Sequence, residues 1–426
     1  MRLTALERSW LDGAGGPARQ RAMDLLVRYG EALGAERLVE TRNVAGTWNA
    51  GSPGVAPFAE AGGLDAVFSK FNLDADDVVE TPPMAVPTCQ LIHGIDTRHA
   101  HIHGVAERNV EWQRRAERYF GGKGVAMFNT CTPYQVGNVP VKGEHCAWME
   151  SSAVVYCNAV LGARTNTEGR ESTGAAAITG RIPYWGYHLA ENRHATHRIE
   201  AEVEIAGMME WGLFGYHVGA AVEEDIPVLT GRIAQPHMIE LKHFGAAAAS
   251  SGGVEMYHIP GVTPEAPDLA AALGPRRAVP TLRYGAAERA QAHALLNSTA
   301  SDSAVDLVML GCPHNAIEQV WTAARLLEGR RIHANTALWI FTPRALRDAA
   351  DLAGYTATIE AAGGWLMSDT CPAIGRVLPA GCRTVATDSA KQAHYLPAIM
   401  NVGCWFGSVE DCIDAALTGR WRGGLR

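Results

Sequence analysis

Apolar residues along this chain recur in two patterns, one typical of amphipathic helices and one typical of buried strands. Residues 18–33 predict a helix that Pro17 can open and Gly34 can end. Residues 105–120 predict a second, highly charged helix, and the apolar residues 125–130 that follow predict a strand. The first part of the chain therefore mixes helices and strands.

Further along the chain the two patterns alternate regularly. Residues 305–310 and 337–341 are continuous apolar runs of the buried-strand type, and residues 365–368 form a third such run. Asn315 as an N-cap, with Glu318 three residues later, predicts a helix between the first two strands. Strands that alternate with helices predict a parallel sheet.

These patterns together predict the α/β fold class. Ser408 and Asp411 predict the cap of a last helix over residues 409–417. We divide the chain into an amino-terminal α/β region, residues 1–300, and a carboxyl-terminal α/β lobe, residues 301–426.

Composition narrows the class of protein. The chain has 426 residues, of which 47% are hydrophobic and 19% charged, as in a folded enzyme with more than one core. A net charge of −8 argues against a nucleic-acid-binding surface. No apolar run approaches the roughly 20 residues that span a bilayer, and the start lacks a signal-peptide pattern. We therefore expect a cytoplasmic protein without a membrane partner.

The cysteines carry the most informative chemistry. Cys131, Cys312 and Cys371 each stand beside a proline or a threonine, and the first two follow predicted strands. Ligands gather beyond the carboxyl ends of parallel strands, so we expect the three sulfur atoms to meet in one coordination sphere. Three thiolates can hold an iron–sulfur centre and leave one iron corner open for a substrate.

The other cysteines have a simpler interpretation. Free cysteine behaves as a small buried hydrophobe, and the odd total of nine gives no disulfide framework. We apply this interpretation to Cys146, Cys157, Cys382, Cys404 and Cys412, and leave Cys89 open.

Residues 143–193 hold the densest polar chemistry. Glu150, Ser151 and Ser152 fall within the apolar residues 147–160, which predict a helix. A carboxylate buried there needs a partner or a proton, so Glu150 is either a functional acid or a satisfied structural one.

Arg164, Thr165 and Asn166 follow a turn and present a guanidinium, a hydroxyl and an amide together. This group suits the binding of a carboxylate or phosphate, and the alternative is a structural surface arginine. His188 adds a titratable ring and Arg193 another cation, although a lone histidine is more often structural.

Lys391 lies beside Ser389 in a stretch that has few charges. A desolvated lysine can bind a substrate carboxylate or act as a base with a lowered pKa. The alternative is a surface lysine whose stem covers apolar neighbours.

Seven phrases, in order across residues 10–420, resemble the large subunit of aconitase X, a distant branch of the aconitase superfamily. They are Thr130-Cys131-Thr132-Pro133-Tyr134, Gly143-Glu144-His145 with Ala147–Ala153, Gly162-Ala163-Arg164-Thr165-Asn166, Ser250-Ser251-Gly252 with Gly261–Ala266, Gly311-Cys312-Pro313-His314, Asp369-Thr370-Cys371, and Ser389-Ala390-Lys391 with His394-Tyr395.

The resemblance implies an aconitase-like fold of several lobes, with parallel and mixed sheets flanked by helices. It also implies an iron–sulfur cluster on Cys131, Cys312 and Cys371, and dehydration of a hydroxylated carboxylic acid. Family activities are cis-3-hydroxy-L-proline dehydratase, which we favour, and mevalonate 5-phosphate dehydratase. The chain ends near Gly419, at the length of a large subunit, so we expect the small swivelling domain to be a separate polypeptide that supplies a serine.

We assign roles to the polar residues as a hypothesis about the mechanism. We expect Glu150, His188 and Lys391 to act in catalysis. We expect the substrate to be bound by Ser151, Ser152, Arg164, Thr165, Asn166, Arg193 and Ser389. Two departures bear on the substrate: Asn43 stands where the family usually has a histidine, and Thr88-Cys89-Gln90-Leu91 differs from the usual phrase.

Three alternatives remain open at this stage. The same thiolates can hold a single iron or zinc ion in a hydrolytic enzyme. The chain can be a non-catalytic, metal-binding partner protein. A cysteine nucleophile is the weakest alternative, because no Cys/His pair stands out.

Overall fold

A computed structural model describes residues 1–276 and 278–425. The first lobe, residues 1–194, is built on a parallel sheet in the order β4-β3-β2-β5, with an antiparallel pair β1-β6 beside it. Its elements are α1 Ala5–Leu11, α2 Pro17–Ala32, β1 Leu38–Glu40, β2 Val44–Gly46, α3 Ala56–Asn72, β3 Thr88–Gln90, α4 Glu107–Gly122, β4 Val125–Ala126, β5 Ala147–Trp148, α5 Ser151–Val155, α6 Arg170–Thr179 and β6 Arg181–Pro183.

The second lobe, residues 195–300, packs helices on a parallel sheet in the order β8-β7-β9. Its elements are β7 His197–Ile205, α7 Met208–Val222, β8 Pro227–Ile233, α8 Met238–Ser251, α9 Leu269–Leu273, β9 Thr281–Tyr284 and α10 Ala286–Leu296. Trp211 and Phe244 lie at the centre of its core, which continues into the first lobe through Trp148 and Val154.

The third lobe, residues 301–425, is a parallel sheet in the order β12-β11-β10-β13-β14. Its elements are β10 Leu307–Leu310, α11 Ile317–Leu327, β11 Ala337–Phe341, α12 Arg344–Leu352, α13 Tyr355–Ala362, β12 Trp365–Met367, α14 Pro372–Gly375, β13 Thr384–Thr387, α15 Ala390–Met400, β14 Gly403–Phe406 and α16 Val409–Thr418. The predicted α/β class and the parallel sheet are confirmed, because apolar runs such as β10 are buried along their whole length.

Several local predictions are confirmed and others are wrong. Ser408 and Asp411 form the predicted capping box of α16. The strand predicted over residues 125–130 stops at Ala126, because the Phe128 backbone N–H turns back to the Ala126 carbonyl oxygen at 2.9 Å; Asn129 then takes a left-handed conformation with φ 51°. Asn315 does not cap α11, since the N-cap is Ala316.

The first and third lobes meet along a set of charged and polar contacts. The Arg344 guanidinium of α12 binds Glu117 of α4 at 3.2 Å and Asp369 at 2.8 Å. Nearby, the buried Asp96 carboxylate accepts a hydrogen bond from the Ser368 backbone N–H at 3.1 Å. This seam immediately precedes Cys371, so the junction of the two lobes sets the position of that cysteine.

No helix within residues 1–276 and 278–425 is both long and apolar enough to cross a bilayer.

Candidate active site

Three buried cysteines line one cavity of about 280 Å³ between the lobes. Cys131 comes from the loop after β4, Cys312 follows β10, and Cys371 follows β12. Cys312 and Cys371 therefore stand at the carboxyl edge of the same parallel sheet, where ligands collect in α/β folds. Sequence and topology together bring these thiols to one place.

Two special backbone positions deliver the cysteines of the third lobe. Gly311 has φ 104°, and a Cβ there would lie 2.2 Å from the Phe341 carbonyl oxygen. Only glycine fits this close approach to β11, and the turn it permits presents Cys312 to the cavity. Asp369, two residues before Cys371, also has a positive φ, of 71°. The turn it permits leads to Cys371, which is the N-cap of α14.

Burial, and then the nearby Glu150, Cys312 and Cys371, raise the pKa of the Cys131 thiol, so the three thiols lie near one another. Among the described residues, no three His, Cys, Asp or Glu side chains come close enough to hold one metal ion. A cluster distributes its cysteine ligands over several irons, so this arrangement disfavours a single metal ion, and an iron–sulfur centre on the three thiols stays a prediction. β11 separates β10 from β12, which puts roughly 10 Å between the strands that precede Cys312 and Cys371.

The donor set fits an iron–sulfur group, because cysteine thiolates are the usual ligands of its irons. Burial raises the pKa of the Cys312 thiol to about 12 and raises those of Cys131 and Cys371 as well. The free thiols are therefore protonated at neutral pH, and binding iron would release their protons.

A charged pair forms the polar wall of the cavity. The Lys391 ammonium on α15 donates to the Glu150 carboxylate at 2.8 Å and to the Ser151 and Ser152 hydroxyls at 3.2 and 3.3 Å. All four residues line the cavity. A cation, an anion and two hydroxyls thus converge beside the three thiols.

The apolar residues 147–160 predicted a helix around Glu150, but Glu150 does not lie within a helix. It is the N-cap of α5, and its carboxylate accepts the Ala153 backbone N–H at 2.7 Å. The apolar run is divided, because β5 ends at Trp148 before the helix begins. A carboxylate at this position satisfies an orphan N–H of the first helical turn.

Both members of the pair are charged. Burial alone would raise the pKa of Glu150, but Lys391, the Ser152 hydroxyl and the Ala153 N–H together hold it below its usual value. Burial alone would lower the pKa of Lys391, but the Glu150 carboxylate raises it above its ordinary value. The pair therefore places a fixed cation and a fixed anion in the cavity.

The opposite wall of the cavity is apolar and open to solvent. Ile92, Tyr395, Ile374 and Ile399 line it, and the last two are 54% and 42% exposed. Large exposed apolar side chains at the mouth of a polar cavity are typical of a surface that another chain or segment covers.

Arg164 and Arg193 lie outside this lining. Arg193 is buried and donates to the Glu265 carboxylate at 2.9 Å and to the carbonyl oxygens of Asn158 and Ala163. Arg164 donates to the carbonyl oxygen of His188 at 2.8 Å. Both guanidinium groups bind the protein itself, so their predicted roles in substrate binding stay predictions.

His188 and Asn166 likewise bind protein groups. His188 is buried with its ring Nδ1 2.9 Å from that of His145, and burial lowers the pKa of His188 to about 3. Asn166 accepts the Tyr187 backbone N–H at 2.8 Å and lines a neighbouring cavity that also reaches Ser151. The structure does not bring His188 to the cysteine cavity.

Thr165 and Ser389 organise the backbone. The Thr165 hydroxyl accepts the Trp148 backbone N–H at 3.0 Å and donates to the Asn166 carbonyl. Ser389 caps α15 by accepting the Gln392 N–H at 3.1 Å, and its hydroxyl is also within hydrogen-bonding reach of the Cys312 thiol.

Two buried polar residues near the cysteines, His314 and Lys242, received no functional role in the sequence analysis. His314 stands two residues after Cys312 and contacts the loops of all three cysteines. Lys242 of α8 is buried and donates to the His314 carbonyl oxygen at 2.8 Å. A lysine in an otherwise apolar helix was the available signal for Lys242, and the phrase Gly-Cys-Pro-His was the signal for His314.

Asn43 and Cys89, which depart from the family phrases, belong to one hydrogen-bond network. Asn138 joins the Asn43 side chain to the Cys89 thiol, which it contacts at 3.2 Å. Asn43 also accepts the Trp148 indole N–H at 2.8 Å. Asn43 and Cys89 therefore link β2, β3 and β5 of the first lobe through side-chain contacts.

Comparison with known proteins identifies the family. Family models for aconitase X match along the chain: the first domain over residues 1–191, the second domain over residues 195–294 and the third domain over residues 305–418. Phosphomevalonate dehydratase large subunit from Methanothermobacter thermautotrophicus is 36% identical over 412 residues, which cover 96% of each chain. Cis-3-hydroxy-L-proline dehydratase from Pseudomonas aeruginosa is 36% identical over 430 residues, which cover 100% of this chain and 71% of that protein.

A solved structure agrees with the sequence matches. The crystal structure of Thermococcus kodakaraensis aconitase X in its holo form covers 98% of this chain and 100% of its own, with a TM-score of 0.80 and 31% sequence identity. The resemblance noted in the sequence is thereby confirmed, and the chain belongs to the aconitase X family.

Proposed function

We propose that this chain is the large, catalytic subunit of an aconitase X-type hydro-lyase that dehydrates a small hydroxylated carboxylic acid. The observation that carries the proposal is the position of the Lys391–Glu150 pair and its two serines beside three cysteine thiols in one cavity. Names of relatives in both branches of the family support a dehydratase.

The proposed cofactor is an iron–sulfur cluster held by Cys131, Cys312 and Cys371. When bound, such a cluster supplies a Lewis acid for the departing hydroxyl of the substrate. The thiol donor set and the family relationship support this assignment. A single iron ion on the same thiolates is the alternative, and it is disfavoured because no three such side chains among the described residues converge on one point.

The chain's own residues would bind and orient the substrate. The Lys391 ammonium would attract the substrate carboxylate, the Ser151 hydroxyl would donate a hydrogen bond to one of its oxygens, and Ser152 would hold Glu150 in place. Because these groups are anchored to the amino-terminal ends of α5 and α15, they need little reorganisation when substrate arrives.

Glu150 is the proposed base. Its pKa is held below the usual value, so its carboxylate is ionised and can accept the proton beside the substrate carboxylate. Once Glu150 is protonated, the charge of Lys391 is no longer neutralised by its partner. That charge would then stabilise the negative charge that develops on the substrate.

We propose cis-3-hydroxy-L-proline as the substrate. Among the described residues that line the cavity, Lys391 is the one cation, and it suits a single carboxylate better than a carboxylate and a phosphate together. Mevalonate 5-phosphate is the second candidate, favoured by the 36% identity to a phosphomevalonate dehydratase large subunit over nearly the whole of both chains.

A small subunit with a swivelling domain is the proposed partner. The name "large subunit" of several relatives supports a second chain, and the exposed Ile374 and Ile399 give it an apolar surface to cover. Closure of that domain would exclude water from the cavity and place its serine opposite Glu150.

The test is a dehydration assay on the enzyme produced anaerobically together with its small subunit. We expect turnover of cis-3-hydroxy-L-proline, and loss of both turnover and visible iron–sulfur absorbance in Cys312→Ser. The matched control is Cys412→Ser, which changes a fully buried cysteine of α16 in the core of the third lobe and should keep both. Wild-type turnover in Cys312→Ser would contradict the proposed cofactor.

The same preparation separates the alternatives. Acid-labile sulfide accompanies an iron–sulfur cluster but not a single iron or zinc ion. A complex that binds the cofactor but turns over neither hydroxyproline nor mevalonate 5-phosphate would favour a non-catalytic role.

A further inference from the structure

We infer that His314 is a positioning residue that holds the three cysteine-bearing loops in register around the cofactor cavity. The inference rests on the proposed iron–sulfur chemistry and adds a residue to which no role had been assigned. His314 is fully buried and lies two residues after Cys312, so it belongs to the loop that carries Cys312.

Hydrogen bonds tie His314 to the other two loops. Its backbone N–H donates to the Cys131 sulfur at 3.3 Å, and its ring Nδ1 lies 2.9 Å from the hydroxyl of Thr130. Its ring Nε2 lies 3.1 Å from the carbonyl oxygen of Thr370, the residue before Cys371. One side chain thus bridges segments that are 184 and 56 residues away in sequence.

The direction of these hydrogen bonds follows from their partners. The Thr370 carbonyl oxygen can only accept, so Nε2 of His314 must carry the hydrogen. In a neutral ring Nδ1 is then an acceptor, and the Thr130 hydroxyl donates to it. The same hydroxyl oxygen accepts the Thr132 backbone N–H at 3.1 Å, which closes the turn around Cys131.

The backbone of His314 is fixed as firmly as its ring. Its carbonyl oxygen accepts from the Lys242 ammonium at 2.8 Å and from the Gln135 side-chain amide at 3.0 Å. Lys242 belongs to α8 of the second lobe and Gln135 to the first lobe, whereas His314 belongs to the third. All three lobes therefore meet at this residue, directly behind the thiols.

The contacts of His314 would keep the three loops at the spacing that a shared cofactor needs. The three cysteines come from three separate loops that line one cavity, and a cofactor can bind all of them only if the loops keep their spacing. Groups that orient ligands from behind typically contribute about 10- to 100-fold to metal affinity. We therefore expect His314 to affect cofactor retention more than global stability.

The experiment measures cofactor loss from the holoenzyme under a chelator challenge, without substrate. In His314→Ala we expect iron to be lost about 10- to 100-fold faster than in the wild type. His314→Gln, which can keep a donor towards Thr370, should restore part of the retention. The matched control is His258→Ala: His258 is equally buried and its ring Nε2 contacts the Arg193 carbonyl oxygen at 2.7 Å, but it lies outside the cysteine loops.

A second measurement uses the cofactor-free protein. We expect iodoacetamide to alkylate Cys131 faster in His314→Ala than in the wild type, because loss of the ring frees the Thr130 hydroxyl and loosens the loop that carries Cys131. If His314→Ala fails to fold, Thr130→Val decides, since it removes the hydroxyl contact with almost no change in shape. Thr130→Val should lose iron several-fold faster than the wild type.

The two proposals fail in different ways. If Cys312→Ser loses its iron while His314→Ala and Thr130→Val retain iron and Cys131 protection at the wild-type level, the positioning role is overturned alone. If Cys312→Ser retains iron and sulfide, the proposed cofactor site itself is overturned.

Discussion

The cysteine cavity and the polar segment from Arg164 to Arg193 carry the same kinds of side chain but use them differently. In the cavity, Lys391 and Glu150 contact each other and still face open space, each with 15% of its side chain exposed. In the polar segment, the Arg193 side chain is 1% exposed, and protein groups surround its guanidinium. The sequence indicated residues 143–193 as the densest polar chemistry, and the structure divides that run between the two regions.

The difference between the two regions is whether polar groups have capacity left for a ligand. A buried guanidinium with several protein acceptors stabilises a loop, and removing it leaves those acceptors unpaired. A charged pair at a cavity wall can exchange one partner for a substrate. The predictions below test this distinction, beginning with the largest expected effect.

Arg193→Met should lower the free energy of unfolding by about 3–5 kcal/mol, because it leaves Glu265 and several buried carbonyl oxygens without their donor. Thermal and denaturant unfolding would measure the loss. Arg283→Met is the control: Arg283 is 78% exposed and pairs with Glu202 on the surface, so its removal should cost less than about 1 kcal/mol. If Arg193→Met kept wild-type stability but bound substrate weakly, Arg193 would be a substrate-binding residue and not a structural one.

Lys391→Met should lower kcat/KM by about 10²- to 10³-fold while iron content is kept, because the carboxylate-binding cation is lost. Steady-state kinetics of the two-subunit enzyme would measure this. Lys142→Met removes an exposed lysine that contacts the Pro264 carbonyl oxygen and should leave kcat/KM unchanged. Activity of Lys391→Met close to that of the wild type would show that the cavity pair is structural.

His188 should make stability depend on pH in a defined direction. Its folded pKa of about 3 lies below the ordinary value, so the unfolded chain takes up a proton first as pH falls. The contribution of the neutral ring to stability is complete above pH 6.5 and is lost towards lower pH, by about 1.4 kcal/mol per pH unit. His188→Asn should reduce the slope of unfolding free energy between about pH 6 and pH 4 by that amount.

The same ring should leave the pH–rate profile unchanged above about pH 5, because it stays neutral there. A limb of the profile that disappears in His188→Asn would instead assign proton transfer to His188, the role predicted from the sequence.

Two serines provide the smallest and most direct contrast. Ser389→Ala should cost about 1 kcal/mol of stability, because Ser389 caps α15. Ser151→Ala should leave stability nearly unchanged and raise KM about fivefold, since its hydroxyl faces the cavity. Unfolding midpoints and KM measured on the same preparations would separate the structural role of Ser389 from the binding role of Ser151. If both variants changed stability and KM equally, the two serines would not differ in role.

Much of the fold could be predicted from local pattern. Residues 337–341 are β11 as predicted, because a continuous run of large apolar residues fits only a strand buried on both faces. Ser408 and Asp411 cap α16 as predicted, because a capping box needs only residues three positions apart. Such features depend on neighbours in sequence.

The site was harder to predict because its contacts are long-range. Lys391 and Glu150 are 241 residues apart, and no local period indicates that they meet. Glu150 was placed within a helix because the apolar run around it continues across a strand and an N-cap. His314 was overlooked for the same reason: its partners Thr130 and Thr370 lie in loops of two other segments.

The sequence by itself determined the α/β class, the family, and the three cysteines that stand at loop positions. Only the tertiary structure decided which charged residues face the cavity and which are bound by the protein. The physical reason is that periodicity and caps act over one or two turns. The use of a charge depends instead on which distant groups folding brings within about 3 Å of it.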